Sequence, residues 1–328
     1  MTEFIRTPDQ NFAGLAGFAY QPRYHEWQDL RLHYLDEGPT DGPVMLLLHG
    51  MPTWSYLYRD MIPGLVAAGY RCIAPDHMGF GRSDKPTDGH WYTIARHTEI
   101  LTSLITDLDL IDVTLVCQDW GGPIGLAQAA TMPERFSRLV IMNTWLHHEG
   151  YEYTDAIRSW NRNWNPGGLF DRDRPDVALL LVLSAGLAGP EVILPALLDG
   201  TVPEFTGRAA DVYRGYAAPF AGLPDEAFNG LRRFPRSIPI ESYSSGNAAA
   251  QTFHYRTLLG WEKPGHFIWG CADDVFPESS GRSWAQQMGA SFDPIADAAH
   301  FLQETHGHSV VETILRRVED ESAASQRT

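Results

Sequence analysis

The amino-acid sequence predicts an α/β protein in which a mostly parallel central sheet carries helices on both faces and a helical cap is inserted between two halves of the sheet. Two observations lead to this fold class. Short apolar segments alternate with amphipathic segments in the first half of the chain and again near its end. The segment between them, from about His148 to Leu223, is rich in Trp, Tyr, Gly and Pro and contains no strand-like stretch. Continuous apolar strands that alternate with helices are typical of a parallel sheet covered on both faces.

The predicted elements of the sheet-forming part follow one another as strand and helix. The predicted strands are 44–48, 70–74, 113–117, 138–142, 266–270 and 291–295, of which 44–48 is a fully apolar run. The helices show apolar residues on one face, namely about 56–68, 94–108, 122–132, 280–288 and 302–318. Thr93 is placed at the N-cap of the helix 94–108, because a threonine hydroxyl can accept a hydrogen bond from a free backbone N–H of the first turn.

This order of elements divides the chain into a core domain, a cap and a tail. The core comprises residues 1–147 and 224–320, and the cap comprises residues 148–223. Helical segments within the cap are expected at 156–164, 176–187, 191–198 and 208–216. Residues 321–328 are polar, so a frayed C-terminal tail is expected.

The composition excludes several classes of protein. With 44% hydrophobic and 12% aromatic residues, the chain is neither disordered nor collagen-like. Its formal net charge of −16 repels phosphate backbones and anionic lipid, so neither nucleic acid nor a membrane surface is expected as a partner.

The N-terminus lacks the pattern of a signal peptide. The longest apolar run, Val177–Gly189, is too short to span a bilayer. The 3 cysteines form no CxxC pair, which favours a cytoplasmic protein with reduced thiols; a monomer is the default expectation.

The strongest local signal for chemistry is Val116-Cys-Gln-Asp-Trp-Gly-Gly122, which follows a predicted strand and opens a predicted helix. This is the pattern of a nucleophile elbow, a sharp turn that needs small neighbours, with Asp119 in the place of the usual serine or cysteine. A simpler interpretation is an aspartate that caps the next helix. A carboxylate nucleophile forms an ester, which an activated water can hydrolyse. Asp119 therefore favours displacement at an sp3 carbon, either of a halide or by opening an epoxide.

Partners for such a nucleophile follow later strands in the expected order of acid and then histidine. Asp273 and Asp274 come at the end of the strand 266–270, and His300 lies between the last strand and the last helix. An acid in this position orients the imidazole and stabilises its cation. His306 and His308, by contrast, lie inside a helical pattern without a third ligand, so no metal site is expected there.

A loop after the strand 44–48 is expected to complete the site. Its sequence, His49-Gly-Met-Pro52, can supply one backbone N–H of an oxyanion hole, and the residue after the nucleophile can supply the other. The donors are then the backbone N–H groups of Met51 and Trp120. A plain turn between strand and helix is the alternative. Gly79-Phe-Gly81 has Asp84 where the third glycine of a dinucleotide-binding motif belongs, so no nucleotide cofactor is expected.

Several longer segments resemble the haloalkane dehalogenases of the α/β-hydrolase fold over nearly the whole chain, and within them the branch that binds halide with a pair of tryptophans. The most specific segments are Pro52-Thr-Trp-Ser-Tyr-Leu-Tyr-Arg59 and Tyr216-Ala-Ala-Pro-Phe220. Further matching segments are Gln118-Asp-Trp-Gly-Gly122 and Ala298-Ala-His-Phe-Leu-Gln-Glu304. The shorter HGxP and DWGG motifs also occur in epoxide hydrolases.

The resemblance implies an α/β-hydrolase fold and hydrolysis of haloalkanes to a primary or secondary alcohol and halide. It implies Asp119 as the nucleophile, His300 as the base, and Asp273, rather than Asp274, as the acid that holds the base. The expected partners are a small apolar halogenated substrate, water and the halide ion. No cofactor or metal is implied.

The halide needs neutral donors in an apolar cavity, and indole N–H groups provide them. Trp120 is the first donor by its position in the motif. The side chain of Met51 cannot donate, so the second donor must come from the cap. Trp164 is the predicted second donor and Trp160, four residues earlier, is the alternative, while an ungapped count from the elbow reaches Phe170. Either tryptophan could instead simply pack between cap and core.

Two other functions stay open at this point. An epoxide hydrolase shares the aspartate nucleophile but also needs an acid in the cap, for which the sequence offers tyrosines: Tyr151, Tyr153, Tyr213 and Tyr216. A non-catalytic ligand receptor on the same fold is a third possibility, although every expected catalytic position is occupied by a suitable residue. A His300 variant separates these classes, because only an enzyme would accumulate the Asp119 ester.

Overall fold

The computed structural model describes residues 1–170, 175–240 and 247–325. Its strands, in chain order, are β1 (Phe4–Ile5), β2 (Arg23–Trp27), β3 (Leu30–Glu37), β4 (Val44–Leu48), β5 (Arg71–Pro75), β6 (Lys85–Pro86), β7 (Val113–Gln118), β8 (Phe136–Met142), β9 (Gly265–Gly270) and β10 (Ser291–Ile295). All the predicted strands are present, with ends that move by at most a few residues.

The main sheet has 8 strands in the order β10-β9-β8-β7-β4-β5-β3-β2. Its strands are parallel except β3, which runs antiparallel to both β2 and β5. Every residue of β4 and β7 is buried, as continuous apolar strands at the centre of such a sheet require. The pair β2 and β3 is absent from the prediction, because polar and charged residues interrupt both segments. β1 and β6 form a separate 2-stranded ribbon.

Helices cover the sheet and form the segment inserted after β8. The α-helices are α1 (Ile62–Ala67), α2 (Ile94–Asp107), α3 (Gly121–Thr131), α4 (Asp155–Trp164), α5 (Pro190–Asp199), α6 (Gly207–Ala217), α7 (Asn229–Arg236), α8 (Ala248–Leu258), α9 (Glu278–Gln287) and α10 (Leu302–Ser325). Short 3₁₀ helices are Asp9–Phe12, Ser55–Tyr58, Gly89–Trp91, Pro133–Arg135, Pro175–Ala185 and Asp225–Phe228.

Two predicted helices differ from the observed ones. The segment predicted as one helix at 56–68 is a 3₁₀ helix, Ser55–Tyr58, followed by α1, whose first turn contains a proline. A proline fits the first turn of a helix but not its interior, which explains why α1 begins there. The segment predicted at 176–187 is the 3₁₀ helix Pro175–Ala185. Thr93 does cap α2, since its hydroxyl accepts a hydrogen bond from the backbone N–H of Arg96.

The C-terminal helix is longer than predicted. α10 continues to Ser325, with a kink at His306. Near its end, Glu321 accepts hydrogen bonds from Arg138 and pairs with His266, both on the central sheet. The segment 321–325, which the sequence predicts as the start of a frayed tail, is thus helical, and its first residue is docked through ion pairs. Residues 326–328 lie outside the described part of the chain. Within residues 1–170, 175–240 and 247–325, no helix has the length and apolar character needed to cross a membrane.

Candidate active site

Asp119 lies on a sharp turn between β7 and α3. Its backbone adopts a φ of 49°, in the left-handed region that few residues other than glycine adopt. The turn is possible only because its neighbours are small. A Cβ atom on Gly121 would lie 2.2 Å from the carbonyl oxygen of Leu48, and one on Gly122 would lie 1.9 Å from the hydroxyl of Thr144. The local sequence thus forms the elbow that the motif predicts, and strained backbone of this kind is typical of functional sites.

The carboxylate of Asp119 is held by backbone donors. The backbone N–H of Met51 donates to Oδ1 at 2.7 Å, and the backbone N–H of Trp120 also donates a hydrogen bond to the carboxylate. Burial raises the pKa of Asp119 above its ordinary value, while His300 and these two N–H groups act in the opposite direction. The two donors predicted for an oxyanion hole therefore converge on one carboxyl group.

His300 lies between two carboxylates. Its Nδ1 is 2.9 Å from Oδ2 of Asp273, and its Nε2 is 3.7 Å from Oδ2 of Asp119. Burial lowers the pKa of His300, but Asp273 and Asp119 together raise it above its ordinary value. Asp273 is buried, whereas Asp274 is exposed, so the geometry brings Asp273 to the histidine as predicted.

Asn143, which the sequence analysis did not single out, braces this arrangement. Its side-chain amide donates to Oδ2 of Asp273 at 2.8 Å, and its backbone carbonyl accepts a hydrogen bond from the backbone N–H of Asp119 at 3.0 Å. The backbone N–H of Val275 donates to the other oxygen of Asp273 at 2.7 Å. Asn143 therefore links the nucleophile to the acid. Its only sequence signal is a polar residue directly after the buried strand β8.

A cavity of about 190 Å³ opens above the carboxylate of Asp119. Its walls combine core residues of the site with apolar side chains of the cap, namely Met51, Pro52, Asp119, Trp120, Trp145, Ala156, Ile157, Trp160, Leu181, Ser184, Ile238, Val275, Phe276, His300 and Phe301. A mainly apolar cavity with a few convergent polar groups suits a small apolar ligand.

The tryptophans near the cavity differ from the prediction in one respect. Trp120 lines the cavity, and so does Trp160 of α4. Trp164 is fully buried and is absent from the cavity wall; its ring packs edge-on against Trp160, with 5.4 Å between centroids, and against Phe170 at 5.2 Å. The predicted second donor, Trp164, therefore lies behind the wall, whereas its alternative, Trp160, faces the ligand space together with Ala156 and Ile157 of the same helix. Phe170 is buried beside both rings and likewise lies outside the wall.

Trp145 is a cavity residue that sequence reasoning missed. It follows β8 by three positions and is buried. Its ring meets Trp120 edge-on at 4.7 Å and stacks on Phe276 at 5.1 Å. Trp120 also stacks on Phe234, with 5.1 Å between centroids. The indole of Trp120 is therefore fixed in orientation by rings from several elements.

No group of three or more His, Cys, Asp or Glu side chains within the described ranges is arranged to hold a metal ion. His306 and His308 lie on α10, where His306 pairs with Asp297 at 3.2 Å.

Comparisons with known proteins agree on one family. Residues 43–184 match a family model described as the alpha/beta hydrolase fold. A haloalkane dehalogenase of Psychrobacter cryohalolentis is 37% identical over 97% of this chain and 99% of that protein. Haloalkane dehalogenase 1 of Mycobacterium tuberculosis is 41% identical over 95% of this chain and 98% of that protein. The tetrameric structure of a haloalkane dehalogenase from Paraglaciecola agarilytica has a TM-score of 0.78 and 34% identity, covering 95% of this chain and 97% of that one.

Proposed function

Since the chain belongs to the haloalkane dehalogenases, α/β-fold hydrolases that act on carbon–halide bonds, we propose that it converts a haloalkane to a primary or secondary alcohol and halide through an ester on Asp119. One observation carries the assignment of residues. A buried carboxylate receives the backbone N–H of Met51 at 2.7 Å, while Nε2 of a histidine held by Asp273 lies 3.7 Å from its other oxygen.

In the first step, an oxygen of Asp119 attacks the carbon that carries the halogen. A carbon–oxygen bond forms, the carbon–halogen bond breaks, and the halide leaves with the bonding electron pair, so no proton is needed. The apolar cavity favours this displacement because it holds the carboxylate in a site with little water. The indole N–H groups of Trp120 and Trp160 receive the halide in this proposal, since both rings line the cavity.

In the second step, the oxygen of a water molecule attacks Cγ of the ester while Nε2 of His300 takes a proton from that water. Asp273 stabilises the imidazolium that forms. The negative charge on the former carboxylate oxygen is stabilised by the backbone N–H groups of Met51 and Trp120, which already point at the carboxyl group. The tetrahedral intermediate then expels the alkoxide, which takes the proton from His300 and leaves as the alcohol.

Halide release from 1-bromobutane and 1,2-dibromoethane by the purified protein tests this function, with Asp119→Ala as the control. Release that disappears in the variant supports dehalogenation through Asp119. No release from either compound by the unaltered protein would contradict the proposal and make epoxide hydrolysis the leading hypothesis. A receptor would keep its ligand response in a His300 variant and would form no ester.

The epoxide hydrolase alternative requires an acid that protonates the opening oxygen. The candidate tyrosines of the cap do not support it, because no tyrosine within the described residues lines the cavity. The hydroxyl of Tyr153 lies 2.8 Å from Nδ1 of His147, and that of Tyr216 donates to Glu304. Both groups are therefore engaged away from the reactive centre.

We also propose that this chain is a monomer and is located in the cytoplasm. The solved relative from Paraglaciecola agarilytica is tetrameric, and α5 of this chain exposes three apolar side chains: Val192, Leu194 and Leu198. Light scattering on the eluting protein gives its mass in solution. A mass of one chain supports the monomer, and a multiple of it contradicts the monomer.

A further inference from the structure

Gln118, the last residue of β7 and the neighbour of the nucleophile, makes two contacts with the histidine of the site. Its side chain is fully buried. Its amide nitrogen Nε2 lies 3.0 Å from the ring nitrogen Nε2 of His300 and 3.1 Å from the backbone carbonyl oxygen of the same residue. Two hydrogens of one amide group are thus directed at one histidine.

The backbone carbonyl of His300 determines which end of the amide faces the ring. A carbonyl oxygen can only accept, so the amide NH₂ and not its oxygen must lie 3.1 Å from it. The same NH₂ then donates to the ring Nε2, which must carry a lone pair rather than a hydrogen. The ring proton is therefore on Nδ1, 2.9 Å from Oδ2 of Asp273. This is the neutral tautomer that a general base needs.

The surroundings of the ring would otherwise favour the cation. The titratable groups that face it are Asp273 and Asp119, both carboxylates. Its remaining neighbours include the rings of Phe276, at 5.5 Å between centroids, and Phe301, at 4.7 Å, neither of which titrates. Within the described residues, Gln118 is the group that donates to Nε2, and its own amide oxygen is buried without a donor.

We propose that Gln118 is a positioning residue that favours the neutral form of His300 with the proton on Nδ1, against the two carboxylates, and so readies the base for hydrolysis of the ester. The attacking water displaces the amide from Nε2, while the bond to the carbonyl of His300 keeps the amide nearby. Once Nε2 has taken the proton and the water oxygen has bonded to the ester carbon, the returning amide directs a donor at the new ring N–H, which favours passing that proton on to the departing alkoxide. The inference rests on the proposed function for its kinetic consequence but not for its effect on the free histidine.

An NMR titration of the imidazole of His300 in the substrate-free protein tests the inference without any turnover. Gln118→Met removes both N–H donors at similar volume. A hydrogen bond to the neutral form lowers the pKa of a base, so its loss should raise the midpoint of His300 by about half a pH unit to one pH unit. Gln118→Glu, which places a further carboxylate beside Nε2, should raise it more. The matched control is Gln128→Met, which removes a fully buried amide on α3 that bonds Thr98 and Thr102; it should leave the His300 midpoint unchanged.

Single-turnover kinetics supply the second readout. Alkylation of Asp119 needs no base, so the rate of the first halide release should stay within about twofold in Gln118→Met. Ester hydrolysis should slow near neutral pH and recover as the pH rises, because the pH at which His300 loses its proton has moved up. The inference would be overturned if the titration midpoint of His300 were unchanged in both Gln118 variants. It would also be overturned if the rates of halide release and of ester hydrolysis fell equally at every pH. If the unaltered protein releases no halide, the proposed function fails while the NMR titration still decides the role of Gln118.

Discussion

Arg59 and Glu304 form a buried ion pair in which the guanidinium and the carboxylate meet through two parallel hydrogen bonds of 2.7 Å each. Arg59 follows the 3₁₀ helix Ser55–Tyr58, and Glu304 lies in the first turn of α10, four residues after His300. Tyr216 of α6 donates to the same carboxylate. The pair thus joins the core, the cap and the segment that carries the base.

Removing one partner of this pair should destabilise the protein strongly. Arg59→Met leaves the Glu304 carboxylate buried without its bidentate partner, with the half-exposed Arg208 at 3.9 Å as a weaker cation. Breaking a buried pair in this way typically costs about 3–5 kcal/mol of unfolding free energy. The matched control is Arg256→Met, since Arg256 pairs with Glu149 at 3.3 Å on the surface and its loss should cost about 1 kcal/mol or less. Urea denaturation measures both. An equal loss of unfolding free energy in the two variants would contradict the prediction that the buried pair stabilises the protein more than the exposed pair does.

The triad can be tested by comparing neighbouring aspartates. Asp273→Asn should lower turnover by about 10³- to 10⁴-fold, because the imidazole loses its orienting carboxylate. Asp274→Asn is the control, since Asp274 is exposed beside it, and its turnover should stay within about twofold. Halide release from 1-bromobutane measures both variants. The assignment of Asp273 fails if the two variants lose activity to the same extent.

His300→Phe should stop the reaction at the ester. Alkylation needs only the Asp119 carboxylate, whereas hydrolysis needs the base, so one turnover of halide release should be followed by arrest. With 1-bromobutane as the substrate, intact-mass spectrometry should then show the protein carrying one butyl group, and peptide mapping should place that group on Asp119. Asp119→Asn supplies the control that carries no such group. A His300→Phe protein that turns over continuously would exclude His300 as the base.

The second halide donor can be identified with a pair of tryptophan variants. Trp160→Phe keeps a ring in the cavity wall but removes an N–H, and the loss of a hydrogen bond to an anion should weaken bromide binding by about tenfold or more. Trp164→Phe should leave bromide binding unchanged, because Trp164 lies behind the wall. Inhibition of turnover by added bromide gives both affinities. The opposite ranking would restore Trp164 as the donor.

Activity and stability should change in opposite directions with pH because of His300. Asp273 and Asp119 outweigh the effect of burial and raise the pKa of His300 above its ordinary value of about 6.5. A raised folded-state pKa stabilises the protein below the unfolded pKa, and that contribution is lost as the pH rises through the folded pKa. Turnover should rise over the same interval, since the base must be neutral. Thermal melts and initial rates from pH 6 to 9 check this. His300→Phe should remove the part of the melting-temperature change that comes from His300 and leave the part from other groups, such as Lys85, whose pKa burial lowers to about 7.

The residues that the sequence could predict are those whose signal is local. Asp119 sits in a motif that ends in two glycines, and Asp273 and His300 each follow a predicted strand, so the parallel order of the sheet brings them together. Asn143 and Gln118 could not be recognised in this way. Their partners lie 130 and 182 positions further along the chain, and no local pattern marks a polar residue that bonds so far away.

In the cap, helical periodicity does not predict which tryptophan of α4 faces the cavity. A spacing of four places Trp160 and Trp164 on one face of α4, and their rings do touch. Which of them meets the cavity depends on how α4 is tilted over the core, and that tilt follows from long-range packing rather than from the helix itself. The strand pair at one end of the sheet poses a similar difficulty, because β2 and β3 mix polar and apolar residues and lack the continuous apolar character of β4 and β7.

The strand order of the central sheet separates reactivity from selectivity. Asp119, Asn143 and Asp273 follow β7, β8 and β9, which are adjacent, so the distances among these residues depend on the spacing of hydrogen-bonded strands, close to 4.8 Å. The cap supplies Ile157, Trp160 and Leu181 to the opposite wall of the cavity and makes none of those distances. Exchanging cap segments among related chains should therefore change which molecules enter while the reactive centre keeps its geometry, so new specificities can arise without rebuilding the chemistry.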